Sequence, residues 1–225
     1  MDNIVEDLKS GALVPFLGMG VFKEVIAKDG STLPFDSDSM VLALNNGRAM
    51  SSRLMYEYSR AAMSLEQRKG REFIVSRVMG GYDRFVIYLY DVDTKQYNIV
   101  EKEKLNADIP ILFKPMGSTV PAMDFIVSDA DFVDWLTEAM GGYALPPFLK
   151  QYKQEKSYLF LGIDFGRDTF RMVANEITLG LKGGIVVEPK EELSKKEQSF
   201  IEKHDLKAHR AEINDFIKAI QCAKS

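Results

Sequence analysis

Five apolar runs of strand length recur along the chain: ALVPFLG at 12–18, IPILF at 109–113, DFIV at 124–127, SYLFLGI at 157–163 and GIVVE at 184–188. Each is nearly continuous rather than alternating, the pattern of strands buried on both faces of a parallel sheet. Four stretches between and after them carry apolar residues at helical period. SDADFVDWLTEAM opens on Ser128 as N-cap with Asp131 three residues later, a capping-box variant, and places Phe132, Leu136 and Met140 on one face. RDTFRMVANEI carries a stripe of Phe170, Val173, Ala174 and Ile177. LSKKEQSFIEK opens on a Ser194/Glu197 capping box, and EINDFIKAI spaces Ile213, Phe216, Ile217 and Ile220 along one side. Strand alternating with helix predicts an α/β fold with an open, doubly wound, mainly parallel sheet.

Residues 38–81 break this rhythm. DSMVLALNNG, SSRLMYEYSRAAMSLEQRKG and REFIVSRVMGG read as two or three helices with no strand between them, a helical insertion covering one end of the sheet. DRFVIYLYDVDTKQYNIVEKE then reads as an antiparallel hairpin over about 84–102, β-rich on both sides of the turn DVDTK.

Composition narrows the setting. The chain has 225 residues, 46% of them hydrophobic and 28% charged, enough for one domain with a full core. No apolar stretch approaches the ~20 residues of a membrane helix, and the acidic, amphipathic start MDNIVEDLKS does not read as a secretory signal. The single cysteine, Cys222, excludes an internal disulfide framework and fits a reducing compartment, so the expected location is the cytoplasm. A net charge of -4 without a basic, aromatic-laced stripe excludes a nucleic-acid partner.

The candidate chemistry lies at Gly18-Met19-Gly20. A strand running into a glycine turn and then a helix, here VFKEVIAK, is how α/β folds present backbone N–H groups to phosphate. Gly18 and Gly20 permit a positive φ and close approach of a ligand. A third glycine at the dinucleotide-fingerprint spacing is missing, because position 23 is Lys. By pattern alone, the turn reads more readily as a structural strand end than as a nucleotide site.

GALVPFLGMGVF resembles the opening of sirtuin-like domains, especially the broad bacterial branch found in defence and signalling proteins, whose pattern is roughly G-x-x-V-x-F-x-G-A-G-x-S. The resemblance continues in order. ILFKPMGS resembles that family's strand ending in K-x-H-G-S, and DFIVSDADFVDWL its next strand and capped helix. SYLFLGIDFGRDTFRMV resembles the late strand ending in G-Y-S, and GIVVEPKEELSKKEQSFIEKHDLKAHRAEINDFIKAI the closing strand, helix, short strand and helix. The resemblance implies one sirtuin-like domain over 1–225, with a Rossmann-like sheet that binds NAD across the carboxyl ends of its strands. It assigns Gly18, Gly20, Gly117, Ser118, Gly162 and Asp164 to cofactor binding.

The same comparison implies lost chemistry. Where active members carry a histidine as general base, this chain has Met116, and a thioether takes up no proton at physiological pH. The family's asparagine aligns with Gly81, ahead of Tyr82-Asp83, and Asp164 replaces the serine of G-Y-S. A carboxylate there repels pyrophosphate unless a cation offsets it. His204 and His209 match the last strand rather than the catalytic turn and read as solvated surface residues. The expected protein is a pseudoenzyme that binds NAD, ADP-ribose or a related nucleotide with little or no cleavage; any residual activity would be that of an NAD glycohydrolase. The alternative is a structural or adaptor component with a protein partner, its pocket filled by Met19, Phe22 and Met116. Asp131, Asp134 and Glu138 share a helix, but such spacing is ordinarily solvation, and no metal site is expected.

Overall fold

The computed structural model describes residues 2–78, 86–91, 96–99, 111–118, 124–141, 147–154, 156–178, 181 and 183–223. In chain order the elements begin with α1 (Asp2–Lys9), β1 (Leu13–Leu17), a 3-10 turn (Met19–Phe22), α2 (Ser37–Leu44), α3 (Ser52–Met55), α4 (Tyr58–Lys69) and α5 (Arg71–Val78). Next come β2 (Val86–Asp91), β3 (Gln96–Ile99), β4 (Ile111–Lys114), β5 (Gly117–Ser118), β6 (Asp124–Phe125), α6 (Asp129–Met140) and α7 (Pro147–Tyr152). The chain closes with β7 (Ser157–Leu161), α8 (Asp168–Ile177), β8 (Gly184–Val187), α9 (Lys195–Lys203), β9 (Leu206–His209) and α10 (Ile213–Cys222). These elements form two compact units: Met1–Met40 with Lys153–Ser225, and Val41–Tyr152.

The first unit is built on a four-stranded, all-parallel sheet in the order β1-β7-β8-β9. Strand alternation sends Tyr158, Phe160 and Val186 to one face, where they pack with Ala174 of α8, Phe200 and Ile201 of α9, and Phe165. Leu13, Leu159, Leu161 and Val187 point the other way and pack with Ile213 and Phe216 of α10 and with Ile4 and Leu8 of α1. Helices therefore cover both faces, which explains why SYLFL and GIVV can be apolar throughout. This is the doubly wound arrangement compatible with a Rossmann-like fold. Both predicted capping boxes form. Ser128 and Ser194 accept from the N–H groups of Asp131 and Glu197, whose carboxylates accept in return from the cap residues. Ser194→Ala should cost about 1 kcal/mol of stability, read as a shift in urea midpoint.

Two of the five apolar runs do not join that sheet. β4 pairs antiparallel with β2, Ile87 opposite Phe113, and β2 pairs antiparallel with β3, giving the order β3-β2-β4. β6 forms only a short antiparallel ladder with β5. Continuous hydrophobicity records burial on two sides and not the direction of the partner strand, which is why IPILF and DFIV misled. The expected hairpin is present as β2 and β3. Residues 38–78 are helical, as α2 to α5, with no strand among the described residues there.

In the second unit α4 packs on α5 and α6. Asp131 ties them together by accepting from the N–H groups of Ser128 at 3.0 Å and Val127 at 3.2 Å and from Arg71 at 3.1 Å. These bonds outweigh the cost of burial and hold its carboxyl below the usual range. The buried stripe of α6 runs through Phe132, Trp135 and Ala139, not through Met140, which is 74% exposed. Trp135 lies in the core as a large, amphipathic ring should, its indole N–H donating to the Pro115 carbonyl at 3.0 Å. No described helix is long and apolar enough to cross a membrane.

Candidate functional site

The carboxyl ends of β1, β7, β8 and β9 all lie on one edge of the parallel sheet, the edge at which open α/β sheets take up ligands. Three of the glycines expected to bind cofactor are involved there. Gly18 donates its N–H to Leu161 O at 2.8 Å, and Gly20 donates to Gly162 O at 3.0 Å. The contact leaves no room for side chains. A β-carbon on Gly18 would lie 2.3 Å from Gly162 O, one on Gly20 2.7 Å from Gly162 Cα, and one on Gly162 2.5 Å from the Val21 nitrogen. Gly162 alone of the three has a left-handed backbone, at φ +70°. Gly18 and Gly20 are needed for backbone-to-backbone contact rather than for a positive φ, and their amides are spent on Leu161 at the end of β7 and on Gly162 just beyond it.

The segment after the turn also departs from expectation. VFKEVIAK forms no α-helix. The 3-10 turn Met19–Phe22 runs instead into a loop closed by an Ile26–Thr32 bridge and by Asp29, which accepts from the Ser31 hydroxyl and N–H. The anion-attracting helix end envisaged there is absent. Met19 is half-buried, whereas Phe22 is 42% exposed. Leu17, Val25 and Ile26 are exposed as well.

Asp164 sits two residues beyond Gly162 in the loop leading to α8. Its Oδ1 accepts from the Gly166 N–H at 3.0 Å and its Oδ2 from Arg167 Nε at 3.2 Å, and Lys190 Nζ lies 3.4 Å from Oδ1. Here the carboxylate is offset by cations. Nearby, Arg171 donates to the Phe165 carbonyl and pairs with Asp168, which also receives Lys196 at 3.1 Å.

Sequence reading missed the most heavily engaged group of this edge, Lys190. Its ammonium donates to Glu197 Oε1 at 2.6 Å, its N–H donates to Glu188 Oε1 at 3.1 Å, and its carbonyl accepts from Arg210 Nη1 at 2.5 Å. Glu188 is only 6% exposed, and this burial raises its carboxyl above the ordinary value despite the Lys190 hydrogen bond and charge. Burial pulls in the opposite direction on Lys190, but Glu197, Asp164 and Glu188 together raise it. Burial would also raise Glu197, yet hydrogen bonds from Lys190 and Ser194 hold it below the usual range. The signal for this cluster in the sequence was a glutamate ending an otherwise apolar strand, GIVVE.

Gly117 and Ser118 belong to the other unit, where they pair with Phe125 and Asp124. Met116 precedes them in the turn after β4, half-buried, its carbonyl accepting from the Ile126 N–H at 3.2 Å. Gly81, Tyr82 and Asp83 lie outside the described residues.

The histidines are not simple surface groups. His204 packs at a tilt against Phe200 at 4.5 Å with a buried, unpartnered Nε2 and a pKa lowered by burial. His209 lies against Phe216 at 5.1 Å. Tyr58 in the second unit is pushed up to about 12 by burial and by the carboxylates of Glu57, Asp129 and Asp131, so it remains a phenol. Cys222 is exposed on α10. No cluster of metal-ligating side chains occurs among the described residues.

No protein-family model, curated protein or solved structure matches this chain.

Proposed function

We propose that this chain is a sirtuin-like protein that does not cleave NAD and that serves as a structural or adaptor component of a larger assembly. The observation that carries this reading is the three-glycine contact at the ends of β1 and β7. The space that would let a pyrophosphate approach Gly18 and Gly20 is occupied by the backbone of Gly162, and both amides are donated within the protein. Met116, at the position resembling the family's histidine, supplies no base. Exposed Leu17, Phe22, Val25 and Ile26 offer apolar surface of the kind that partners cover.

One observation favours a second reading, that NAD or a related nucleotide binds without turnover. Arg167 and Lys190 offset the charge of Asp164, removing the repulsion a lone carboxylate would exert on pyrophosphate. Calorimetric titration with NAD and with ADP-ribose up to millimolar concentration separates the two. An absence of binding heat supports the structural reading, and saturable binding replaces it with the nucleotide one. Nicotinamide release should stay at background in both cases, since loss of a general base costs ~10²–10⁴ in rate. Release above background, abolished by one substitution at the strand ends, would overturn both.

A further inference from the structure

Residues 188–194 connect β8 to α9 and are anchored at both ends. The buried Glu188 holds the start, its own N–H donating to His209 O at 3.0 Å, and Leu193 packs on the Tyr158, Phe160, Phe165 and Phe200 cluster. Between these anchors Lys190 reaches sideways to the β7–α8 loop at Asp164 and forward to the first turn of α9 at Glu197, while Arg210 at the end of β9 grips its carbonyl. One residue therefore ties together segments from the ends of β7, β8 and β9 and the start of α9.

We propose that residues 188–194 are a strap across the carboxyl ends of β7 and β8, and that the Lys190 ammonium is its acid-released latch. The proposal does not depend on whether a nucleotide binds at this edge. The groups that face the latch are Asp164, with Arg167 on its other oxygen, Glu188, Glu197 with Ser194, and Arg210.

Asp164 and Glu197 pair with the ammonium while Glu188 accepts from the Lys190 N–H, and the two glutamates respond to acid in opposite senses. Burial makes ionised Glu188 a liability, so its carboxyl is raised. The penalty is fully present above that raised value and disappears as pH falls towards the ordinary glutamate value of 4.5. Glu197 is held low. Its contribution is fully present above 4.5 and is lost as pH falls through its lowered value, which removes the shorter of the two ion pairs that hold Lys190. The strap should thus tighten on mild acidification and open only on stronger acidification.

Amide hydrogen exchange of the whole chain, corrected for the intrinsic pH dependence of exchange, tests this. In wild type, protection in 188–197 and at Gly166 should rise from about pH 7 towards 4.5 and then fall. Glu188→Gln keeps the acceptor for the Lys190 N–H and should abolish the rise. Lys190→Met should lower protection at Gly166 and in 188–197 about tenfold at neutral pH, the scale of one charged hydrogen bond, while core amides of Phe160 and Val186 change less. Lys190→Arg should restore most of it. A profile that only falls, or one that Glu188→Gln leaves unaltered, overturns the latch. So does a loss in Lys190→Met that is equal at the core amides, or no loss at all.

Discussion

Gly162→Ala should destabilise the protein by about 3 kcal/mol, combining the ~1–2 kcal/mol of a left-handed non-glycine residue with the strain of an overpacked contact. In a chain of this length that is a fall of about 6–12 °C in melting temperature. The new β-carbon meets backbone, the Val21 nitrogen at 2.5 Å and Gly20 Cα at 2.8 Å, and backbone cannot swing aside as a side chain can. Gly30 is the control. It has a similar φ of +83° but nothing within 4 Å of its added β-carbon, so Gly30→Ala should show the conformational cost alone, about 1–2 kcal/mol. Gly20→Val belongs with Gly162→Ala: it should lower the melting temperature with no ligand present. If Gly162→Ala melts no lower than Gly30→Ala, the glycine contact is not the constraint described above.

Phe165→Ala should cost 3–5 kcal/mol, measured as a drop in urea midpoint at unchanged slope. The ring is 1% exposed, packs edge-on to Phe160 at 5.3 Å and stacks on Phe200 at 4.4 Å, so its removal leaves a cavity bounded by β7 and α9. Phe165 also lies next to Asp164, and its carbonyl is held by Arg171. The same substitution should therefore loosen the loop that carries Asp164. A loss below about 1 kcal/mol would show that the neighbouring rings close the gap, contrary to the packing described.

The sequence made the first unit largely readable because the burial of its sheet is two-sided, and the starts of α6 and α9 were readable because Ser128 and Ser194 cap them with their own side chains. LVPFL, SYLFL and GIVV lie in the parallel sheet, and Ser128 and Ser194 cap the helices they were expected to cap. IPILF and DFIV were misplaced because a strand in a small antiparallel sheet can be as evenly apolar as a central parallel strand; Ile111, Leu112 and Phe113 are all half-buried. At the glycine turn the sequence marks the residues but not what they are packed against. Space for a ligand and space for a neighbouring strand end leave the same mark in a sequence, a glycine, and only the position of Gly162 tells them apart. Lys190 escaped notice because its partners, Asp164, Glu188, Glu197 and Arg210, are scattered over more than forty positions, and its own surroundings, PKEE, look like an ordinary solvated charge run.

The position of β1 in the sheet has a consequence for the order of assembly. β7, α8, β8, α9, β9 and α10 follow one another directly, and each neighbouring strand pair is joined by a single helix. β1 pairs with β7 although the whole of Val41–Tyr152 is translated between them. Contacts so distant along the chain form late, because a large loop must close before they give any return. On the ribosome β1 emerges well before β7 and must wait, its apolar LVPFL without that partner strand, until β7 supplies the edge on which it docks. The glycine contact is then a stitch between a strand made early and a strand made late.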